Sequence, residues 1–240
     1  MDARCEAQVV TPGDLPAAIA RMRADSTVVG AAVTMPHTVA VTRLLDGLGP
    51  EAKVVKAVNT ISHRAGALVG WNTDRPAFSR SLEDAGFQVK GKDALVLGAG
   101  GAARASVDAL RAEATKIWVS SRDLEEARAV CRDLEISSGG PAPLGSLSLL
   151  VRKVDLVVNA TPVGSDGEAV PFPIEWITPA QFIFDLVYRP WCGHANPSKV
   201  CPACEGCACS LPGYENPLFW KEAPLALRRG GFKRLFLLYL

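Results

Sequence analysis

No uninterrupted apolar run among the 240 residues approaches the roughly 18–20 that a membrane-spanning helix needs; the nearest is the terminal stretch Leu235–Leu240. Charge of one sign is equally absent: 26 basic and 25 acidic residues leave a net +1, so no global field points to nucleic acid or an anionic membrane as partner. The opening Met-Asp-Ala-Arg-Cys-Glu-Ala-Gln lacks the basic-then-apolar pattern of a secretory leader, and the cytoplasm is the expected location. Internal repeats and coiled-coil heptads are missing as well. What is present is ordinary: 48% hydrophobic and 21% charged residues, the values of a globular chain with room for one large domain or two small ones.

Cysteine is scarce only over part of the chain. The first 190 residues hold Cys5 and Cys131, whereas the last 50 hold five of the seven cysteines and seven of the sixteen aromatic residues. Net charge also changes at Pro190, from −2 before it to +3 after it. Two differently composed segments meet there.

The first segment reads as α/β. Glu6–Val10 is expected as a short strand closed by the turn Thr11-Pro12-Gly13, and Asp14 as the cap of a helix through Met22. Val28–Thr34 is a continuous apolar run of the kind buried on both faces of a sheet. Met35-Pro36-His37 breaks it, and a helix is expected near Val39–Asp46, ending at Gly47. Ala57–Ser62 and Ala67–Asn72 read as two further short strands or extended segments, and Thr73 or Asp74 as the cap of a helix carrying Phe78, Leu82 and Ala85. The next strands are Asp93–Leu97, Lys116–Ser120, Asp155–Asn159 and Phe182–Val187, with helices at Ala102–Glu113 and Leu124–Leu134 between them. Gly139-Gly140-Pro141 is expected as an exposed loop. The fold class that follows is two α/β domains: an open α/β domain and a Rossmann-type dinucleotide-binding domain.

Strand, then Gly98-Ala99-Gly100-Gly101-Ala102-Ala103, then helix is a dinucleotide fingerprint. Gly98 permits the tight turn, Gly100 lets backbone N–H groups approach a pyrophosphate, and Ala103 allows close helix–sheet packing. The helix N-terminus adds oriented donors and a positive dipole end. At the end of the second strand stands Ser120-Ser121-Arg122-Asp123 instead of the lone acid that bonds an NAD ribose. Arg122 offers a planar fork to a 2′-phosphate and Ser121 a hydroxyl beside it, so NADP(H) is favoured over NAD, with Asp123 arguing the other way if it points inward.

Val33-Thr34-Met35-Pro36-His37, Ala57-Val58-Asn59-Thr60, Gly70-Trp71-Asn72-Thr73-Asp74, the glycine loop, Asn159-Ala160-Thr161-Pro162-Val163-Gly164 and Asp185-Leu186-Val187-Tyr188-x-Pro190 follow one another in order. Together they resemble the shikimate dehydrogenase family, quinate/shikimate dehydrogenases included, over about residues 6–190. The resemblance implies a substrate-binding domain over 1–78 and an NADP-binding domain over 79–190, facing across a cleft. It implies reversible hydride transfer between the nicotinamide and the keto group of 3-dehydroshikimate, a step of aromatic amino acid biosynthesis by a monomer or homodimer. It carries the family's catalytic Asp onto Asp74, the substrate ligands onto Thr34, Asn59, Asn72 and Tyr188, and the cofactor-facing loop onto Asn159 and Thr161. Without it, Asp74 reads as a helix cap, Asn59 as a turn residue, Tyr188 as a half-buried strand aromatic and His37 as a structural histidine.

Five departures qualify that picture. Thr38 occupies the position of the family's general-acid Lys; a hydroxyl donates a hydrogen bond but brings no positive charge to a developing alkoxide, and such a loss costs about 10²–10⁴-fold in rate. Ala32 replaces an asparagine, and Lys56 stands where the family has glycine. The Ser-x-Ser loop that holds the substrate carboxylate has no counterpart, so the chain is expected to be truncated at its start, with an unpaired sheet edge as the consequence. After Pro190, Leu218–Ala223 resembles the family's glutamine-bearing last helix, with Lys221 at the glutamine position. The set Cys192, His194, Cys201, Cys204, Cys207 and Cys209 has C-x-x-C-x-x-C spacing compatible with zinc or an iron–sulfur cluster, but no second separated pair completes a ribbon. An altered reading frame explains the change in composition better, and no metal is expected.

Overall fold

The computed structural model describes residues 7–165 and 169–187. Tyr188, Lys221 and the cysteine-rich set from Cys192 to Cys209 lie outside the described residues. The chain divides into two compact units, Met1–Thr73 and Asp74–Leu240.

In the first unit, α1 (Leu15–Ala24) is followed by β1 (Gly30–Ala32), β2 (Gly47–Leu48), α2 (Pro50–Val55), β3 (Thr60–Arg64) and β4 (Ala67–Trp71). They form a mixed four-stranded sheet in the order β1-β3-β4-β2. β3 and β4 make a hairpin across Ala65-Gly66, both at positive φ, the handedness that matches strand twist in a two-residue loop. The core is Leu15 and Ile19 of α1 packed with Val41, Ala52, Val58, Ile61 and Leu68. Asp46 ties this unit together: its carboxylate accepts the Leu68 N–H at 2.8 Å and pairs with Arg23 at 3.3 Å. The Leu68 bond, with Arg23 assisting, holds its carboxyl below the usual range.

In the second unit, α3 (Asp74–Asp84) precedes β5 (Asp93–Leu97), α4 (Gly101–Leu110), β6 (Lys116–Ser120), α5 (Leu124–Asp133), β7 (Gly139–Pro141), α6 (Leu147–Leu150), β8 (Leu156–Asn159) and β9 (Phe182–Asp185). The five strands run parallel in the order β7-β6-β5-β8-β9. Alternation along each strand feeds two cores. Ala94, Val96, Ile117, Val119 and Phe184 face α3, α4 and α5 through Phe78, Leu82, Val107, Leu110, Val130 and Cys131. Leu95, Leu97, Val157 and Ile183 face Leu147, Val151 and Phe172 on the other side. A strand apolar on both faces is what a sheet wound with helices on both sides requires. Phe78 meets the Phe184 ring edge-on at 4.8 Å, which anchors α3 to the sheet. Burial pushes the Cys131 thiol up to about 11, so it behaves as a small core hydrophobe.

Four expectations from the sequence are corrected. Residues 7–10 form no strand, because Val9 is fully exposed and nothing pairs with it. The run Val28–Thr34 yields only Gly30–Ala32, and it is not buried on both faces; among the described residues it is an edge strand bonded to β3, with Ala31 and Ala32 exposed. The Val39–Asp46 helix contracts to a 3-10 turn, Ala40–Leu44, since the chain must reach β2 beside β4; α2 then forms behind Pro50, a residue suited to a first helical turn. Gly139-Gly140-Pro141 is a strand and not a loop. Gly139 takes φ +97 and lies so close to β6 that a Cβ would fall 2.2 Å from the Ile117 carbonyl oxygen.

Gly139→Ala is therefore expected to cost at least about 2 kcal/mol in denaturant unfolding, since the obstacle is backbone and the φ is strained for any side chain. Because the Asp46 pKa is depressed in the folded chain, its contribution is present above the ordinary carboxylate pKa and fades as pH falls through the folded value. Asp46→Asn should accordingly flatten the acid limb of a Tm-against-pH curve, while leaving its slope near neutrality unchanged.

Candidate active site

Polar residues gather at one end of the first unit's sheet. Ala32, Thr60 and Trp71 are level in register, so the residues just beyond them, Thr34, Asn59, Asn72 and Thr73, cluster at that end. Thr34 is exposed at the exit of β1, where the Val33 N–H donates to the Asn59 carbonyl at 2.7 Å. The Asn59 amide bridges two strand ends: Nδ2 donates to Thr73 Oγ1 at 2.8 Å, and Oδ1 accepts the Thr73 N–H at 3.1 Å and the Thr60 hydroxyl at 3.0 Å. Asn72 is buried and its Nδ2 donates to the Ala57 carbonyl at 3.1 Å. The half-buried Thr38 joins the same end, its carbonyl accepting the Val58 N–H at 2.8 Å. Thr34, Thr38, Asn59 and Asn72 thus assemble from three separate stretches of chain.

Two neighbours are explained locally. His37 lies with Nε2 2.8 Å from the Val10 carbonyl oxygen, a packing role for a ring that follows the cis Met35–Pro36 peptide. Lys56 closes α2 in the left-handed region, φ 55, its N–H on the Ala52 carbonyl at 2.9 Å. That conformation is why a glycine suits the position.

The second unit presents a different set. Leu97, Ser120, Asn159 and Asp185 are level across the parallel sheet, so the loops after β5, β6, β8 and β9 all leave from one edge. Strand order reverses about β5, and the crevice outside the carboxyl ends at such a point is where open α/β sheets bind ligands. Gly98 takes φ +109 with its N–H on the Ser120 carbonyl at 2.7 Å; a Cβ there would lie 2.7 Å from the Ala160 carbonyl oxygen. Beside Gly100 a Cβ would meet nothing within 4 Å, so the backbone is open to a ligand. Ala99 precedes it, and Gly101 and Ala102 begin α4, whose N-terminal N–H groups have no side-chain cap. Ala103 is fully buried against the sheet.

After β6, the Asp123 carboxylate caps α5 by accepting the Glu125 N–H at 2.9 Å, which turns its charge toward its own helix. Arg122 is exposed and makes no hydrogen bond or ion pair among the described residues. The Ser121 hydroxyl donates to Glu126 at 3.1 Å. These are the features a phosphorylated ribose requires: an uncommitted guanidinium and an acid facing elsewhere.

Asn159 is only 2% exposed and builds its loop from inside. Its Nδ2 donates to the Val163 carbonyl at 3.1 Å and to Asp185 Oδ1 at 3.0 Å, while its Oδ1 accepts the Thr161 hydroxyl at 2.7 Å. Thr161 is the member of this pair nearer the surface. Asp74 opens α3 with 7% exposure, a carboxylate at the positive end of a helix. Two contributors escaped the sequence reading as site-builders: Thr73, whose partner Asn59 lies 14 positions away, and Asp185, which braces Asn159 from 26 positions away. Both sit inside motifs of the sequence, but only the strand registers bring the partners together.

Both units match known proteins. Residues 1–61 match the shikimate dehydrogenase substrate binding domain and residues 81–165 the shikimate/quinate 5-dehydrogenase domain. The chain is 43% identical over 190 residues to shikimate dehydrogenase (NADP(+)) of Moorella thermoacetica, covering 75% of this chain and 64% of that protein. It is 39% identical to the enzyme of the same name from Geobacter metallireducens, covering 76% and 66%. A crystal structure of shikimate 5-dehydrogenase from Thermus thermophilus, in complex with NADP(H) and shikimate, superposes with a TM-score of 0.63 at 37% identity, covering 75% of this chain and 66% of that one. The chain thus spans about two thirds of the length of these relatives. Matched by both domain models of one family, in order and over most of its described residues, it belongs to the shikimate dehydrogenase family.

Proposed function

We propose that the chain is an NADP-dependent oxidoreductase interconverting 3-dehydroshikimate and shikimate, slowed by Thr38 at the position of the general-acid lysine. The observation that carries the reading is the pairing of a glycine loop open at Gly100 with an uncommitted Arg122 and an Asp123 turned into its own helix. That set fits NADP(H) and disfavours NAD, and the relatives named for NADP agree with it. The substrate domain then comprises residues 1–78 and the dinucleotide domain residues 79–190. Quinate remains within the family's range as a second substrate. The protein works as a cytoplasmic monomer or homodimer; among the described residues, no helix is long and apolar enough to cross a membrane.

NADPH supplies the hydride when bound. The chain's own residues do the rest. Thr34, Asn59 and Asn72 present hydroxyl and amide groups for the polyol face of the substrate, with Tyr188 as a further ligand. Binding at Asn59 exchanges its bonds to Thr73 and Thr60 for bonds to the ligand. Asp74 accepts a hydrogen bond from the hydroxyl next to the reacting carbon and so orients the substrate, while the oxygen of the reacting carbon exchanges its proton with water. The Thr38 hydroxyl donates a hydrogen bond to the developing alkoxide but adds no charge, and the proton is exchanged with water. Asn159 holds Thr161 in place beside the dinucleotide.

The same threonine favours a second reading, a non-catalytic module that binds NADP(H) or a shikimate-like ligand. NADP-linked oxidation of shikimate by the purified chain separates the two. Thr38→Lys is expected to raise kcat by about 10²-fold or more with dinucleotide affinity unchanged. Dinucleotide binding without turnover in both proteins favours the module. Arg122→Ala should weaken NADP by about tenfold or more and leave NAD affinity nearly unchanged, read by calorimetric titration.

A further inference from the structure

Asp108 is a buried carboxylate, 7% exposed, on the second turn of α4 beyond the glycine loop. Such a group is stable only if both oxygens are paired. Oδ1 takes the Arg111 Nε at 2.7 Å, one turn along the same helix. Oδ2 reaches out of the helix to the Arg75 Nε of α3 at 3.3 Å. Arg111 is fixed in turn, its Nη1 donating to the Leu134 carbonyl at 3.0 Å beyond α5. Asp108 is thus held from one side and grips α3 with the other.

The grip falls on one particular turn. The apolar anchors of α3, Phe78 and Leu82, lie one and two turns further along, so they secure the helix from Phe78 onward. The first turn carries Asp74, Arg75 and Pro76. A cation there faces the positive end of the helix dipole and gains nothing from the helix itself. The Asp108 carboxylate holds Arg75 against that repulsion, and Asp74 is the immediate neighbour of Arg75 in the chain. We infer that Asp108 is a positioning residue: acting through Arg75, it clamps the first turn of α3 and so sets the Asp74 carboxylate relative to the glycine loop at the head of α4. Both groups then hang from one rigid ten-residue helix, Gly101–Leu110. The inference rests on the role proposed above for Asp74.

Arg75→Met tests it in the full chain, because it cuts the link while leaving Asp108 paired with Arg111. Asp108→Asn cuts it from the other side, and Arg75→Lys and Asp108→Glu are the conservative controls. Amide exchange by NMR at Phe78, Ser79 and Arg80, whose helical acceptors are the carbonyls of Asp74, Arg75 and Pro76, should quicken by about tenfold in the first two variants. Leu82–Asp84 should exchange as in the parent, and the conservative variants should restore protection. In NADP-linked shikimate oxidation, kcat should fall by about tenfold with KM for NADP unchanged. Unaltered exchange at residues 78–80, or acceleration spread evenly along α3, overturns the inference. A parent chain that binds NADP but does not turn over overturns only the functional reading, since the exchange comparison decides the clamp by itself.

Discussion

The loop end of the second unit depends on one close approach, that of Gly98 to the carbonyl of Ala160. The two strands β5 and β8 leave the sheet side by side, and the turn after β5 passes where a side chain would strike that oxygen at 2.7 Å. With no Cβ in the way, the chain can turn at once into α4. The helix then begins at the sheet edge, its free N–H groups directed outward from the end of β5. Ala103 completes the arrangement by letting α4 lie flat on the strands. A bulkier residue at Gly98 would separate β5 from β8 and move the helix terminus with it.

Around that turn, charge is disposed so that one guanidinium is left over. Asp123 is committed to its helix cap, Asp133 to Arg104, and Asp108 to Arg75 and Arg111. Arg122 is left facing solvent without a partner among the described residues. A buried acid must be paired to be tolerated, and two of these pairings, Asp133 with Arg104 and Asp108 with Arg75, also fix one helix against another. The same pattern shows at Asn159, whose amide satisfies Thr161 and Val163 of its own loop and Asp185 of β9 together. In the first unit Asn59 plays that part, joining the start of β3 to the end of β4.

Much of the second unit was legible in the sequence because its strands are apolar on both faces and bounded by glycine or polar residues. The strands Asp93–Leu97 and Lys116–Ser120 could be read directly, and the helix expected at Leu124–Leu134 ends one residue earlier, at Asp133. The first unit was harder for a physical reason. Val28–Thr34 has the composition of a buried strand, yet among the described residues only three of its residues pair, and β1 has one strand neighbour. Gly139–Pro141 has the composition of a loop and is a strand, because Gly139 at positive φ allows an approach to the Ile117 backbone of β6 that a side chain would block.

The sequence by itself determined the family, the glycine turn and the residues able to serve a dinucleotide and a polyol, since these depend on residue type and short spacing. Thr38, too, is a matter of composition alone. Tertiary structure decided which of those residues are available. Asp123 could have opposed a phosphate, and its carboxylate caps its own helix instead; Asn159 is buried and braces Thr161, Val163 and Asp185. Thr73 and Asp185 acquired partners 14 and 26 positions away that no local pattern foretells. Hydrogen-bond partners across strands are set by register, and register follows from the packing of the whole sheet.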